Sequence, residues 1–425
     1  MRGRSRRDEA RHKKSALGRA GRVLEVDKGD STPVFVIRQA DAGIFGKCAL
    51  DVSSRPLQAL VLTHERRREP PRSQPVGTTP VRGTALWRRI GAAMMRAMTL
   101  AISDVRDARS RIAGKVHRTP LLPLDGANTA VGAPSLFAKA ENLQRTGSFK
   151  LRGAMNFLSA MDPAERVRGV VTHSSGNHGQ ALACAAAWFG VPATIVIPEG
   201  APEVKVERTR AWGASILRSG QDGASRQAVA AEAVASTGGT LVPPFDHPWI
   251  VAGQGTMALE IAEDLPGVAN VLVCVGGGGL SAGTVLALQA QAPGARVIGV
   301  EPALAADAME SLRKRQRVRW PAEATTRTIA DGVRTQELGE IPFAILKEGL
   351  YGIVTVSEDA IVDAARWWLR DGGMAVEPTG ALTLAAWRRF LAGRGSVDGV
   401  ELADGPTVLV ISGGNADPSF LGSLL

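Results

Sequence analysis

The chain carries the sequence VLVCVGGGGLS at residues 271–281. Its first five residues are apolar and β-prone, and an Ala-rich stretch of helical character follows, so the glycines lie at a strand-to-helix turn. Four successive glycines remove every Cβ, which lets the backbone wrap around an anion and direct its N–H groups at it. Because no Lys-Ser/Thr follows and the pattern is not GxGxxG, the run favours a single phosphate over a dinucleotide or ATP. The alternative is a merely tight turn.

The same alternation extends in both directions from this turn. Short β-prone runs alternate with Ala-rich helical segments, as at 169–172, 180–189, 193–197, 205–212 and 214–217, and again at 271–275, 281–291, 297–300 and 407–411. This alternation predicts an α/β fold built on parallel sheets with crossover helices. The 425 residues, 44% of them hydrophobic, are enough for two or more domains. No apolar run approaches the roughly 18–20 residues of a membrane helix, so we expect no membrane association.

The basic character of the chain is confined to its N-terminal part. Residues 1–94 carry a net charge of +11 and the remainder −1. We therefore expect no nucleic-acid binding by the core, and a basic, disordered extension over residues 1–98, which show little periodicity beyond Val34–Ile37. Met94, Met95 and Met98 stand just before the first regular helix, and we expect the natural start there. A functional basic arm is the alternative.

The number and spacing of the cysteines indicate the cellular compartment. Only Cys48, Cys184 and Cys274 occur, far apart and without CxxC or Cys/His spacing. Neither a disulfide framework nor a structural zinc site is predicted. A reducing, cytoplasmic environment fits this pattern.

Two more polar turns follow β-prone runs. Ser174-Ser175-Gly176-Asn177-His178 leads into a helix, whose first N–H groups attract an anion such as a substrate carboxylate; an ordinary capped turn is the alternative. Ser412-Gly413-Gly414 follows the last β-prone run and offers a hydroxyl at a strand end. Ligands of open α/β sheets bind at this edge, so we expect the three turns to meet there.

A further motif, Ser148-Phe149-Lys150-Leu151-Arg152-Gly153-Ala154, places a lysine beside an aromatic residue and a glycine. Together with the three turns, in this order and spacing, it resembles the fold-type II pyridoxal-phosphate (PLP) enzymes, and more narrowly the threonine/serine dehydratases and serine racemase. The likeness spans Thr99–Leu425. Its other motifs are Lys139-x-Glu141-Asn142, Ala252-Gly253-Gln254-Gly255-Thr256, Ala330-Asp331-Gly332-Val333 and Glu377-Pro378-Thr379.

The resemblance implies two open parallel-sheet α/β domains with the cofactor in the cleft between them. Residues 99–168 and 247–425 would form the large domain, and residues 169–246 a small mobile domain that closes on the substrate. It also implies a homodimer.

The resemblance further assigns cofactor contacts. Lys150 would hold PLP covalently and then act as base on the α-proton, which requires a neutral, desolvated amine. Ser412 would face the pyridine nitrogen; because a hydroxyl does not keep that nitrogen protonated, loss of a β-leaving group is favoured over transamination. The remaining cofactor-binding residues would be Phe149, Asn177, Gly276, Gly277, Gly278, Gly279 and Glu377.

The substrate would be a small amino acid. Its carboxylate would meet Ser174, Ser175, Gly176, Asn177 and His178. Arg226 is a second candidate contact, or an ordinary solvated helix arginine. The expected activity is that of an ammonia-lyase, converting L-threonine or L-serine to a 2-keto acid. Ser175 keeps open a serine racemase or a dual enzyme, because a hydroxyl opposite Lys150 can deliver a proton from the second face; another hydroxy amino acid such as 3-hydroxyaspartate also stays open.

A metal site is predicted after the β-prone run 297–300. The Glu301 and Asp307 carboxylates, with the Ala305 carbonyl between them, offer oxygen ligands for Mg²⁺ or another divalent cation. The alternative is an ordinary pair of carboxylates at a strand end. The spacing matches the divalent-cation site of serine racemase.

Overall fold

The computed structural model describes three strands between residues 22 and 49, and residues 100–124 and 135–425. The three strands, β1 (Arg22–Gly29), β2 (Thr32–Gln39) and β3 (Gly46–Ala49), form an antiparallel sheet in the order β1-β2-β3. They lie in a unit of their own, distinct from the compact unit Arg89–Leu425. The periodic stretch Val34–Ile37 falls in β2. The rest of the predicted extension, residues 1–98, lies outside the described residues, as does residue 99.

The larger sheet of the compact unit has six strands, in the order β12-β11-β10-β15-β5-β4. All neighbours are parallel except β4 and β5, which pair antiparallel at one edge. Every residue of β10 and β15 is buried, as expected for strands covered by helices on both faces. The strands are β4 (Leu121–Pro123), β5 (Leu136–Ala140), β10 (Asn270–Cys274), β11 (Arg296–Pro302), β12 (Gly352–Val356) and β15 (Thr407–Ile411).

Apolar helix faces pack against this sheet and against one another. Two 3₁₀ turns, Glu141–Leu143 and Asp331–Val333, and a small hairpin of β13 (Ser396–Val397) and β14 (Val400–Glu401) complete this part. The helices are α1 (Ile102–Ile112), α7 (Pro248–Asp264), α8 (Gly279–Gln291), α9 (Asp307–Lys314), α10 (Ala322–Thr325), α11 (Glu340–Gly349), α12 (Glu358–Arg370), α13 (Pro378–Ala392) and α14 (Pro418–Ser423).

The smaller sheet has four parallel strands in the order β8-β7-β6-β9. Its strands and helices are β6 (Val170–His173), β7 (Ala193–Pro198), β8 (Ser215–Ser219), β9 (Thr240–Leu241), α2 (Lys150–Ala160), α3 (Pro163–Arg166), α4 (Asn177–Phe189), α5 (Glu203–Arg210) and α6 (Gly223–Thr237). Buried side chains of α2, such as Leu151 and Met155, share a core with Leu182 and Ile195. Helix α2 thus packs with this sheet although it precedes residue 169; the domain boundaries stay a prediction.

The predicted α/β class with parallel sheets is confirmed. Among the residues that the structure describes, no helix combines the length and the apolar character needed to cross a membrane.

Candidate active site

The predicted cofactor and substrate residues converge on one cavity of about 530 Å³. It lies at the carboxyl ends of β6, β10 and β15, where the turns following these strands meet. The predicted residues that line it are Phe149, Lys150, Ser174, Ser175, Gly176, Asn177, His178, Arg226, Gly276, Gly277, Gly278, Gly279, Glu377 and Ser412. The predicted metal-binding residues Glu301, Ala305 and Asp307 do not line it.

Backbone hydrogen bonds connect the lysine motif to the turn that follows β15. The N–H of Phe149 donates to the carbonyl of Ser412 (3.1 Å), and the N–H of Gly414 donates to that of Gly147 (2.9 Å). Between them, Ser148 and Gly413 form an isolated antiparallel bridge. These contacts fix the start of α2, and with it Lys150, beside Ser412.

The Lys150 amine is desolvated inside the cavity. Its Nζ donates to the carbonyl oxygen of Pro244 (2.8 Å) and lies 5.1 Å from the centroid of the Phe149 ring. Burial lowers the pKa of Lys150 to about 8, although Cys274 and Glu377 nearby oppose this shift. Because only a neutral amine attacks a carbonyl or accepts a proton, the lowered pKa brings Lys150 close to its working state at neutral pH.

The glycine run has a conformation that side chains would block. A Cβ on Gly277 would lie 2.3 Å from Cγ of Phe245, and Gly278 has φ +88° with Pro342 close to it. Helix α8 begins at Gly279, so its first N–H groups point out of the turn. A phosphate fits this backbone cradle at a helix N-terminus.

Asn177, Glu377 and Asn415 form a chain of side-chain hydrogen bonds along one wall. Nδ2 of Asn177 donates to Oε1 of Glu377 (2.7 Å), and Nδ2 of Asn415 donates to Oδ1 of Asn177 (2.8 Å). Burial, reinforced by the charge of Asp331, raises the pKa of Glu377 to about 7. This chain of hydrogen bonds orients the Asn177 amide.

Ser412 offers a hydroxyl that the protein leaves without a partner. The residue is 1% exposed, and its Oγ makes no hydrogen bond within the described part of the chain. Burial raises the pKa of the Cys274 thiol to about 11, although the Ser412 hydroxyl beside it opposes this shift, so the thiol stays neutral. An orphaned buried hydroxyl lining a cavity requires a polar partner, and the nitrogen of a pyridine ring would satisfy it. The lysine, the glycine cradle and this hydroxyl together fit PLP.

The turn before α4 presents small polar groups to the cavity. Ser174, Ser175 and Gly176 are half-buried there, and the helix begins at Asn177. His178, in contrast, is buried, and its Nε2 lies 3.1 Å from the carbonyl oxygen of Val242. Burial lowers the pKa of His178 to about 3, so the ring is neutral at physiological pH. The turn is therefore suited to bind a carboxylate through hydroxyls and backbone N–H groups.

The cavity wall carries a group of cations, most of which were not predicted from the sequence. Lys205, Arg208 and Arg334 line the cavity together with the predicted Arg226. None of the three arginines forms an ion pair with a carboxylate among the described residues. Lys205 and Arg208 are three residues apart on α5 and thus share a helix face, a signal that could have identified them. Arg334 follows a 3₁₀ turn, and only the fold brings it here.

The Glu301 and Asp307 carboxylates lie together in a buried pair, away from the cavity. Glu301 accepts hydrogen bonds from the N–H groups of Ala308 and Met309 (3.0 and 2.8 Å), at the start of α9. Oδ2 of Asp307 is buried without a partner in the described range. Burial and the mutual charge raise the pKa of Glu301 well above its ordinary value, and burial raises that of Asp307 to about 7. Two uncompensated carboxylates in this setting fit a cation.

Taken together, the two parallel sheets, the lysine and the glycine cradle define a PLP-dependent enzyme of fold type II. Residues 112–413 match the family model described as "Pyridoxal-phosphate dependent enzyme", and the chain belongs to this family.

Similar proteins indicate which members of this family the chain resembles. The chain is 40% identical over 314 residues to a serine racemase of Schizosaccharomyces pombe, covering 74% of this chain and 94% of the relative. It is also 40% identical to an L-threo-3-hydroxyaspartate ammonia-lyase of Saccharomyces cerevisiae, covering 74% and 93%. The solved structure of a threonine deaminase from T.th. superimposes with a TM-score of 0.68 at 42% identity, covering 75% of this chain and 99% of that one. The predicted resemblance to dehydratases and serine racemase is confirmed.

Proposed function

We propose that the protein is a PLP-dependent ammonia-lyase that removes water and then ammonia from a small β-hydroxy L-amino acid, giving a 2-keto acid. The observation that carries the proposal is the unpartnered Ser412 hydroxyl in the cavity that Lys150 and the glycine run also line. A hydroxyl there does not hold a ring nitrogen protonated, which favours prompt loss of a β-substituent.

Each part of the cavity has a task in this reaction. Bound PLP supplies the electron sink that acidifies the hydrogen on the α-carbon. The Lys150 amine, with its lowered pKa, accepts that proton. Ser174 and the N–H groups at the start of α4 orient the carboxylate, and Gly276–Gly279 hold the phosphate. Phe245 packs on the glycine run and keeps water from this side of the cavity.

L-Serine and L-threonine are the first substrates to test, and the cavity wall favours a second candidate. Arg208, Arg226 and Arg334 bring three cations without carboxylate partners in the described range to the cavity. Binding one substrate carboxylate at the 174–178 turn leaves these three guanidinium groups on the cavity wall, where they would stabilise a second carboxylate on the substrate. L-threo-3-hydroxyaspartate, on which two of the relatives act, has both the β-hydroxyl and this second carboxylate.

Racemisation is the other candidate activity. Ser175 faces the cavity, and serine racemase is among the relatives. A hydroxyl that delivers a proton to the second face of the α-carbon would give the D-amino acid alongside the keto acid.

The first experiment measures keto acid and D-isomer from L-serine, L-threonine and L-threo-3-hydroxyaspartate, using purified protein with PLP and Mg²⁺. Rapid keto-acid formation with little D-isomer supports the lyase, and Lys150→Ala should lower it by at least about 10³-fold. Arg226→Gln should raise KM selectively for hydroxyaspartate. Ser175→Ala should remove any D-isomer while elimination persists. Turnover of none of the three substrates would refute the proposed function.

We further propose that Glu301, Asp307 and the Ala305 carbonyl hold a divalent cation such as Mg²⁺, with water completing its shell. No donor approaches the Ala305 carbonyl oxygen within the described residues, which leaves it available as a ligand. A homodimer and a cytoplasmic location stay predictions; light scattering of the purified protein tests the first.

A further inference from the structure

Helix α5 of the smaller sheet reaches across the cleft through one side chain. Nζ of Lys205 lies 2.5 Å from Oδ2 of Asp331, which begins the 3₁₀ turn on the opposite side. Within the described part of the chain, this is the one ion pair that joins residues 170–241 to residues 270–425. The Lys205 and Asp331 side chains are 22% and 36% exposed, and both residues line the cavity.

Each partner is attached firmly to its own side. Next to Asp331, the N–H of Gly332 donates to Oγ1 of Thr379 on α13 (2.9 Å). Next to Lys205, Val206 is fully buried in the core of the smaller sheet. Because neither backbone can follow the other freely, the ion pair forms only while the two halves are close together. The ion pair therefore links the two halves of the molecule across the cavity.

We propose that Lys205 and Asp331 are a positioning pair, which holds the cleft closed over cofactor and substrate and thereby limits how fast they leave. The pair acts through the relative position of the two sheets and touches no reacting atom. The proposal rests on the family assignment and not on which amino acid is the substrate. Since both side chains are partly exposed, the expected effect on the open–closed equilibrium is about two- to five-fold, and salt should weaken it.

A different role for Lys205 makes an opposite prediction. If Lys205 merely attracted an anionic ligand, Asp331→Asn would free its charge and tighten ligand binding, whereas Lys205→Met would weaken it. If the pair holds the cleft closed, both substitutions remove the same contact. They should then change ligand release in the same direction and by a similar factor.

The test uses the holoenzyme and two readouts that do not depend on turnover. One is the rate at which PLP is released to an excess of a scavenging apoenzyme; the other is amide hydrogen exchange in residues 203–212. Lys205→Met and Asp331→Asn should each accelerate both about two- to five-fold at low salt, and the difference from wild type should shrink in high salt. The reversed pair, Lys205→Asp with Asp331→Lys, should restore both rates.

Arg315→Met is the matched control, because its partner Glu348 lies 2.8 Å away in an exposed pair within one half of the molecule. It should change neither readout. If Lys205→Met does not fold, Lys205→Gln gives the same comparison. Opposite effects of the two single substitutions, no acceleration by either, or failure of the reversed pair to restore the rates would each overturn the proposal.

Discussion

The buried carboxylates of Glu141 and Glu260 differ from those of Glu301 and Asp307 in what surrounds them. Glu141 and Glu260 face two cations, Lys139 and Arg152, and all four residues are at most 6% exposed. Glu301 and Asp307 are equally buried, but no Lys, Arg or His forms an ion pair with them in the described range. Two acids with two bases make a closed network, whereas two acids alone leave a negative charge that the fold must protonate or neutralise.

The closed network connects three elements around the lysine motif. Arg152 lies two residues after Lys150 on α2, and its guanidinium donates to Glu141 beyond β5 and to Glu260 on α7 (2.8 and 2.7 Å). Lys139 on β5 donates to Glu260 as well (2.7 Å). Burial alone would raise the pKa of Glu141, but the Arg152 charge and hydrogen bonds hold it below its usual range. The network thus fixes the helix that carries the cofactor lysine.

The largest effect is expected from removing one of the two cations of the closed network. Arg152→Met leaves Glu141 and Glu260 buried with one cation between them, so we expect a loss of about 3–5 kcal/mol in the free energy of unfolding. Urea unfolding followed by circular dichroism measures it. Arg315→Met, in an exposed pair, should lose no more than about 1 kcal/mol. A loss of that small size for Arg152→Met would contradict a tightly coupled network.

The second test removes one carboxylate of the buried Glu301–Asp307 pair. In EDTA, Asp307→Asn removes a buried carboxyl group whose pKa burial raises to about 7, so near pH 7.5 we expect the substitution to stabilise the protein by about 2 kcal/mol. Mg²⁺ at about 100 times its dissociation constant should stabilise the wild type by about 2.7 kcal/mol and the variant much less. Thermal unfolding with and without metal, with Glu348→Gln as control, distinguishes the two effects. Equal responses of both proteins to metal would argue against a cation at this pair.

Some features of the site could be predicted from the sequence, and others could not. The lysine motif, the 174–178 turn, the glycine run and Ser412 were predicted as site residues, and the structure gathers them in one cavity. The position of these residues after strands was sufficient for this prediction, because the carboxyl ends of parallel strands lie at the same edge of a sheet.

Contacts between the two sheets could not be predicted in this way. The Asn177–Glu377 hydrogen bond joins residues 200 positions apart, and the Lys205–Asp331 pair joins residues 126 apart. Their existence depends on how one sheet is placed against the other, which no local pattern encodes. The same holds for charge balance: Glu141 follows β5 and Glu301 lies near the end of β11, and only the packing of other elements provides cations to the first.

The smallest effect is expected from removing one hydrogen bond of the closed network while its ion pairs stay intact. Oγ1 of Thr119, a buried residue, donates to Oε1 of Glu141. Thr119→Val keeps the shape but removes this donor, and we expect a loss of about 1 kcal/mol at pH 7. Since the folded-state pKa of Glu141 is lowered, its contribution to stability is present above its ordinary value of 4.5 and is lost as the pH falls through the folded-state pKa. Removing the donor raises that folded-state pKa towards the ordinary value. The difference between variant and wild type should therefore be largest above pH 4.5 and shrink on acidification, as urea unfolding at several pH values would reveal. A pH-independent difference would mean that the hydroxyl contributes through packing alone, and that Arg152 by itself keeps Glu141 ionised.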